Sequence, residues 1–328
     1  GRSLPKPIRW FSMPQLFRYE RTQRGRLREH FQWNVDVIGE GDIAADAEVL
    51  AVALDGLTAL GLGPGDVVAR VNDRRLLEAL LVKVGVPRDG LGRAYAAIDK
   101  MSREEPERTR ERLRQEAGLD AAVTAAVLAL FDEDLDGLRG AHGEDADVAA
   151  ALDRLAEYFA LLDAMGWGGH VEFDPRIVRG LAYYTGTVFE IFDRKGELRA
   201  ICGGGRYDDL LGRVSGSSLP AVGFGMGDVV LGELLKARGK LPAHAPALDY
   251  WVAYEDSARQ SEAVRVATVL RRQGSSVEYA LRPQQLGKQL DAARKAGATA
   301  AVILRADGTL RRKELASGAE DSFTLPHG

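Results

Sequence analysis

The feature that most constrains the fold is a change of texture along the chain. From Asp73 to about Met165 the pattern is helical nearly throughout; after Gly166 it turns to short strands separated by glycines. Within the helical stretch, Leu152, Leu155, Tyr158, Phe159 and Leu162 fall on one side of a helix over Asp147–Met165. Thr187–Phe192, Leu198–Cys202 and Ala221–Met226 read as strands. Ahead of the helices, extended segments at Leu16–Glu20 and Phe31–Ile38 flank a basic turn. A helix follows over Asp46–Leu60, then a short strand over Val67–Val71. Strands on both sides of a helical block predict an α+β domain with the helices inserted at about residues 73–165.

A second break lies at Gly239–Ala247, GKLPAHAPA, which has two prolines and no periodicity. Beyond it strands and helices alternate regularly: strand Tyr250–Ala253, helix Ala258–Gln273, strand Ser276–Ala280, helix Gln284–Ala296, strand Ala300–Leu304. That order predicts a small α/β unit with a parallel sheet. The expected organisation is therefore one domain over residues 1–240 and a second over 247–328.

Net charge says little about partners, since the chain carries only -4. Its distribution says more. From Ala247 onward there are 12 Lys and Arg against 10 Asp and Glu, on a body that is acidic elsewhere. A slightly basic tail module is compatible with a polyanion. The single cysteine, Cys202, excludes an internal disulfide framework and makes a cytoplasmic protein the default expectation. The apolar stretches are far too short to span a membrane.

Three constellations carry chemistry. In FRYERTQRGRLREHFQWNVDV, arginines on a strand and an adjoining loop suit a triphosphate, because guanidinium stays charged and binds phosphate through two atoms. Phe31 is placed to stack on a base. Periodicity alone leaves open an exposed basic hairpin that touches nothing. In IVRGLAYYTGTVFEIFD, Arg179, Tyr183 and Tyr184 occupy a glycine-flanked turn before a strand and can line a polar pocket, or pack as a surface turn. In CGGGRYDDLL, three consecutive glycines let backbone approach either a ligand or another strand, and composition does not say which. No Walker or dinucleotide fingerprint is present.

In this order and spacing the constellations resemble the class II aminoacyl-tRNA synthetases, the histidyl family specifically. FRYERTQRGRLREHFQ looks like that family's motif 2, RGLAYYTGTVFE is similar to its histidine signature, and GGGRYDDL matches the second half of its histidine pocket. GFGMG sits where motif 3 begins, and LGKQLDAARKAGATAAVIL with LRRKEL resembles the anticodon-binding domain. The resemblance implies an antiparallel catalytic sheet with a helical insertion, followed by an α/β anticodon-binding-like domain. It implies activation of L-histidine by ATP and Mg²⁺ and transfer to tRNA(His) by a homodimer, with no protein-held metal site. The alternative is a paralogue that regulates or senses tRNA without aminoacylation.

Residue by residue, the resemblance makes Arg18 the α-phosphate arginine, Glu20 the acid near adenine, Arg26 the γ-phosphate arginine and Phe31 the stacking aromatic. Gln32, Asp36, Tyr183, Tyr184 and Tyr207 face the substrate histidine. Arg179 lies opposite Arg18 across the reacting groups, which makes these two the catalytic pair. Lys288, Arg294 and Lys295 are candidate tRNA contacts. Two features depart from the pattern. Ala182 stands where an acid is usual, and the motif 3 acid and arginine are replaced by Val229 and Val230. Either Arg26 and other cations take over the triphosphate, the favoured reading, or ATP binding is weakened. The resemblance also places motif 1 and a segment that grips the substrate's amino group ahead of Gly1.

Overall fold

The computed structural model describes residues 4–19, 21–22, 25–101, 104–178, 183–216, 218–241 and 248–325. It divides into two compact units, residues 1–241 and 242–328. Most of the proline linker, residues 242–247, lies outside the described residues.

The first unit is built on a mixed, mainly antiparallel sheet. In chain order its elements are β1 (Ile8–Ser12), β2 (Gln15–Phe17), β3 (Glu29–Ile38), α1 (Ile43–Ala59), β4 (Val67–Asp73), α2 (Arg74–Lys83), α3 (Leu91–Ile98), α4 (Pro106–Gln115), α5 (Ala121–Ala129), α6 (Leu135–His142), α7 (Ala146–Ala164), β5 (Val171–Phe173), β6 (Thr187–Asp193), β7 (Cys202–Arg206), α8 (Leu210–Ser215), β8 (Ala221–Gly227) and α9 (Asp228–Ala237). The strands run β1-β3-β8-β7-β6-β4-β5 across the sheet, and β2 pairs with β3. Only β4 and β5 run parallel. Helices α2 to α7 are inserted between those two strands, as the texture predicts. A crossover of that length is what a parallel pair requires.

α1 covers one face of the sheet. It starts sharply because the Asp42 carboxylate accepts from the Ala44 backbone N–H at 2.9 Å. Its residues Leu50, Leu54 and Leu57 are fully buried, each contributing about 1.5–3 kcal/mol of apolar burial. Trp33 of β3 comes so close to the helix that a methyl group on Gly56 would meet its ring at 2.7 Å. Only glycine allows that approach.

The same face holds a buried ion cluster. Arg206, at the end of β7, is fully buried. Its Nε donates to the Asp46 carboxylate on α1 at 2.9 Å, and its Nη2 donates to that carboxylate and, at 3.2 Å, to the Asp42 carbonyl. Its Nη1 donates to the Glu40 carbonyl at 3.0 Å and to Asp208 at 3.1 Å. Every N–H of the guanidinium thus has an acceptor, which is what burial of a charge demands.

One expected strand is displaced. Propensity favours Leu198–Cys202, but the observed strand is β7, the glycine run itself. It lies between β6 and β8, where a methyl on Gly204 would meet the rings of Phe189 and the Cβ of Phe224 at 2.7 and 2.8 Å. Packing between two neighbours overrides propensity here.

The second unit has its own sheet, ordered β10-β9-β11-β12-β13. Its elements are β9 (Leu248–Tyr254), α10 (Gln260–Arg272), β10 (Val277–Tyr279), α11 (Leu286–Lys295), β11 (Ala298–Leu304), β12 (Leu310–Glu314) and β13 (Glu320–Phe323). The expected parallel arrangement holds for β10, β9 and β11. The last two strands add antiparallel. The arginine-rich LRRKE of β12 and the short, polar EDSF of β13 conceal them from a period-two reading.

The ion cluster yields a prediction. Asp46→Ala leaves Arg206 buried without its main partner and should destabilise the first unit by about 3–5 kcal/mol. Paired replacement by apolar residues, Asp46→Leu with Arg206→Met, should recover most of that loss. Urea unfolding followed by tryptophan fluorescence measures both; equal destabilisation by the single and paired changes would contradict the pairing argument.

Candidate functional site

The site grows out of the pleat of β3. Successive side chains of a strand point to opposite faces. His30, Gln32, Asn34 and Asp36 therefore share one face, while Phe31, Trp33, Val35 and Val37 share the other, where Trp33, Val35 and Val37 join the core on the α1 side and Phe31 is exposed. The register then sets glycines beside the polar face. Asp36 pairs with Gly223 and Asn34 with Gly225 on β8. Gly223 pairs with Gly205 and Gly225 with Gly203 on β7. Those two pair with Val188 and Glu190 on β6.

The two central strands therefore present no side chains on this face, and a trough runs along them. The space is occupied at its rim. A methyl on Gly225 would collide with the Gln32 amide, one on Gly223 with the Asp36 carboxylate, and one on Gly205 would reach the Tyr184 ring at 3.0 Å. The glycine run thus approaches both neighbouring strands and an open site, on its two faces.

One end of the trough is aromatic and carries a carboxylate. The Tyr207 hydroxyl donates to Asp36 Oδ1. Burial, reinforced by that carboxylate, drives the Tyr207 phenol well above its ordinary pKa. Burial likewise raises the Asp36 carboxyl, and the hydrogen bond from Tyr207 opposes the rise. The Tyr183 ring lies 4.4 Å from Tyr184 and stands edge-on to Tyr207 at 6.0 Å. The Tyr183 hydroxyl donates to the Tyr184 hydroxyl at 3.2 Å. A carboxylate acceptor and phenolic hydroxyls among aromatic walls suit a planar ring that bears both a donor and an acceptor.

The other end is cationic. A cavity of about 240 Å³ is lined by Arg18, Arg26, His30, Gln32, Glu190 and the glycines of β7 and β8. A second cavity of about 600 Å³ shares Arg18, Arg26, Glu190 and Val230 with it and adds Arg70, Arg176 and Arg199 alongside Asp99, Asp174 and Asp193; Arg70 pairs with Asp174 at 3.7 Å and Arg176 donates to the Phe131 carbonyl at 3.2 Å. Converging guanidinium groups are the side chains best suited to phosphate oxygens. The hairpin that delivers Arg18 is closed by its backbone N–H, which donates to the Arg28 carbonyl at 2.7 Å. The Arg18 side chain meets His30, with Nη2 2.6 Å from Nε2.

Of the residues expected from sequence, Arg18, Arg26 and Gln32 meet at the cationic end, and Asp36, Tyr183, Tyr184 and Tyr207 at the aromatic end. Glu20, Arg179 and Ala182 lie outside the described residues. Phe31 is a correction. It lies on the opposite face of β3 from Gln32 and Asp36, is 52% exposed, and cannot stack on a ligand in this trough. The ring on the site face is that of His30, which sequence reading missed. The signal was present, because residues at 32 and 36 facing a pocket oblige 30, not 31, to face it too. Glu190 and Arg199 were also missed. Val230, at the motif 3 position, is buried against both cavities, and a methyl on Gly25 would lie 3.2 Å from its side chain and 3.9 Å from Arg199 Cδ. Arg199 thus comes near the position where the family's arginine is absent. In the second unit Lys288, Arg294 and Lys295 are exposed on α11, and Arg294 pairs with Asp291 at 3.2 Å.

Comparison with known proteins agrees along the chain. The family model described as histidyl-tRNA synthetase matches residues 2–227. The chain is 39% identical to the chloroplastic/mitochondrial histidine–tRNA ligase of Arabidopsis thaliana over 329 residues, covering 99% of this chain and 67% of that protein. It is 40% identical to the histidine–tRNA ligase of Opitutus terrae, covering 93% of this chain and 70% of the relative. Among solved structures, the histidyl-tRNA synthetase of Nostoc sp. PCC 7120 superposes with a TM-score of 0.80 at 25% identity, over 98% of this chain and 77% of that one.

The Asp36 carboxyl gives a test with a definite sign. Its folded pKa is raised, so whatever stability it lends is complete below its unfolded pKa of about 3.9 and is lost as pH rises through the folded value. At neutral pH the ionised, buried group costs stability. Asp36→Asn should therefore melt no lower than the parent at neutral pH, with any gap closing as pH falls toward ~4. A melting temperature several degrees below the parent at neutral pH would show that charge-dependent contacts, not burial, dominate at Asp36.

Proposed function

The chain belongs to the histidyl-tRNA synthetase family of class II aminoacyl-tRNA synthetases, and we propose from that premise that it activates L-histidine with ATP and transfers it to tRNA(His). The observation that carries the reading is the two-ended trough: a buried carboxylate acceptor, Asp36, held by the Tyr207 hydroxyl beside the phenols of Tyr183 and Tyr184, joined by a side-chain-free floor to converging arginines.

In this reading the imidazole of histidine lies at the aromatic end, its N–H donating to Asp36 and its bare nitrogen accepting from the Tyr184 phenol, whose oxygen accepts from Tyr183. The carboxylate points along the glycine floor toward Arg18. It attacks the α-phosphorus of ATP in line, the bond to the β-phosphate oxygen breaks, and pyrophosphate leaves. Charge gathers on the α-phosphate oxygens, so preplaced guanidinium groups are the chief catalytic device. Arg18 and Arg179 fill that role, with Arg26 and Arg199 on the departing pyrophosphate. Arg199 then answers the loss of the motif 3 arginine at Val230. In the second step a ribose hydroxyl at the 3′ end of tRNA attacks the carbonyl carbon and AMP departs.

Mg²⁺ enters with the triphosphate in this account and supplies charge neutralisation there. Among the described residues no group of three or more His, Cys, Asp or Glu could hold a metal by itself. Glu190, in the smaller cavity, is a carboxylate of the kind that binds Mg²⁺ together with phosphate oxygens. The exposed Lys288, Arg294 and Lys295 are assigned to tRNA phosphates, and the active form to a cytoplasmic homodimer. No helix among the described residues is long and apolar enough to cross a membrane. Relatedness to ligases along nearly the whole chain does not favour the regulatory, non-aminoacylating alternative.

Histidine-dependent ATP–pyrophosphate exchange by the full-length protein tests the function. Exchange with histidine and not with the other amino acids is expected; its absence, with charging of tRNA(His) also absent, would reject the reading. Within it, Tyr207→Phe should raise KM for histidine about tenfold, as for one lost hydrogen bond to a charged group, with a smaller effect on KM for ATP. Equal changes in both would detach Tyr207 from the histidine end.

A further inference from the structure

We propose that His30 is a positioning residue with two partners: its Nε2 holds Arg18, and its Nδ1–H donates to an acceptor atom of the bound adenine nucleotide. The inference deepens the reading above and rests on it for the nature of the ligand. It begins with a constraint on the proton. A guanidinium has donors only, so at 2.6 Å from Arg18 Nη2 the His30 Nε2 must be the bare, accepting nitrogen. The neutral ring then carries its hydrogen on Nδ1.

That Nδ1 is the second observation. His30 is only 6% exposed, and its Nδ1 has no hydrogen-bond partner among the described residues. A buried donor left unmet costs its full desolvation, and native structures rarely leave one without reason. The side chain lines a cavity with Arg18, Arg26, Gln32 and Glu190 over the glycines of β7 and β8, and Nδ1 meets none of the acceptors there. Were holding Arg18 its only task, a single acceptor atom would serve and the second nitrogen would have no role. A ring nitrogen of the purine or an oxygen of the α-phosphate would satisfy Nδ1–H and orient the nucleotide against the arginine that the same ring holds. Binding and catalysis are thereby coupled through one imidazole: Nδ1 acts on the affinity for ATP, Nε2 on the aim of Arg18.

The two nitrogens can be separated by substitution. His30→Gln keeps an acceptor near the Nε2 position, His30→Asn keeps a donor near the Nδ1 position, and His30→Phe keeps the ring and removes both. Calorimetric ATP binding, and kcat and KM for ATP in histidine-dependent exchange, would be measured on the full-length protein and each variant. The Asn variant should bind ATP within about threefold of the parent while kcat falls about tenfold. The Gln variant should keep kcat within about threefold while ATP affinity falls about tenfold, and Phe should lose both. ATP affinity and kcat unchanged in the Phe variant would overturn the proposal. So would Gln and Asn variants that lose affinity, kcat and melting temperature together, the pattern of a merely structural residue. If the parent shows no exchange but ATP affinity still falls in Gln and not in Asn, the reaction assigned above fails while the role of Nδ1 stands.

Discussion

A single buried guanidinium sets the frame within which the site exists. Arg206 has no exposure to solvent, and all its donors are taken by Asp46, Asp208 and two backbone carbonyls at the entrance to α1. Removing a charge from water is costly, and the cost is offset only when every donor is met in good geometry. The arrangement is therefore close to all-or-none. It joins the first turn of α1 to the last residue of β7, and the next residue along the chain is Tyr207. The hydroxyl that meets Asp36 at the aromatic end is thus one peptide from this buried charge. The register of β7 against β6 and β8 follows from the same anchor, because a slip of one residue would put Arg206 on the open face.

The sheet divides its labour between its faces. On the α1 side, Trp33, Val35, Val37, Phe224 and Phe189 build the core, with Gly204 providing room for two phenylalanines. On the other side the same strands present Asp36, Gln32 and bare glycines. Strand alternation makes this division possible without a loop or a hinge, since each residue of β3 is committed to one task by its parity. Rigid strands hold the groups that must be placed most accurately, Asp36 and Gln32, and the hairpin loop brings the arginines. Such a site is organised before its ligand arrives, which is the condition under which fixed charges stabilise a transition state most effectively.

Much of this was legible in the sequence, for reasons that differ by element. Helix α7 and the inserted block declare themselves through their apolar period. Asp36, Tyr184 and Tyr207 belong to motifs whose spacing is specific. Phe31 was misassigned because an aromatic residue attracts a stacking role by type alone, while the pleat assigns it to the other face and gives the site face to His30. Strand β7 was displaced because glycine has no strand propensity; its place is determined by pairing with β6 and β8, the strands before and after it in the chain. Arg199 was invisible for a related reason: it is an exposed arginine in a turn, and only the fold brings it toward Val230. For β7 and Arg199 the missing information was a tertiary contact, and for Phe31 it was the parity of the strand.

The central claim is that one trough serves both substrates, with the imidazole against Asp36 and Tyr207 and the phosphates against Arg18 over the glycine floor. The most direct measurement is a crystal structure of the full-length protein with L-histidine and a non-hydrolysable ATP analogue. The account predicts an imidazole nitrogen within hydrogen-bonding distance of Asp36, the α-phosphate in contact with Arg18, and the histidine carboxylate lying over Gly203 and Gly225 between them. Histidine bound away from the Asp36–Tyr207 pair, or a nucleotide whose α-phosphate does not approach Arg18, would contradict it.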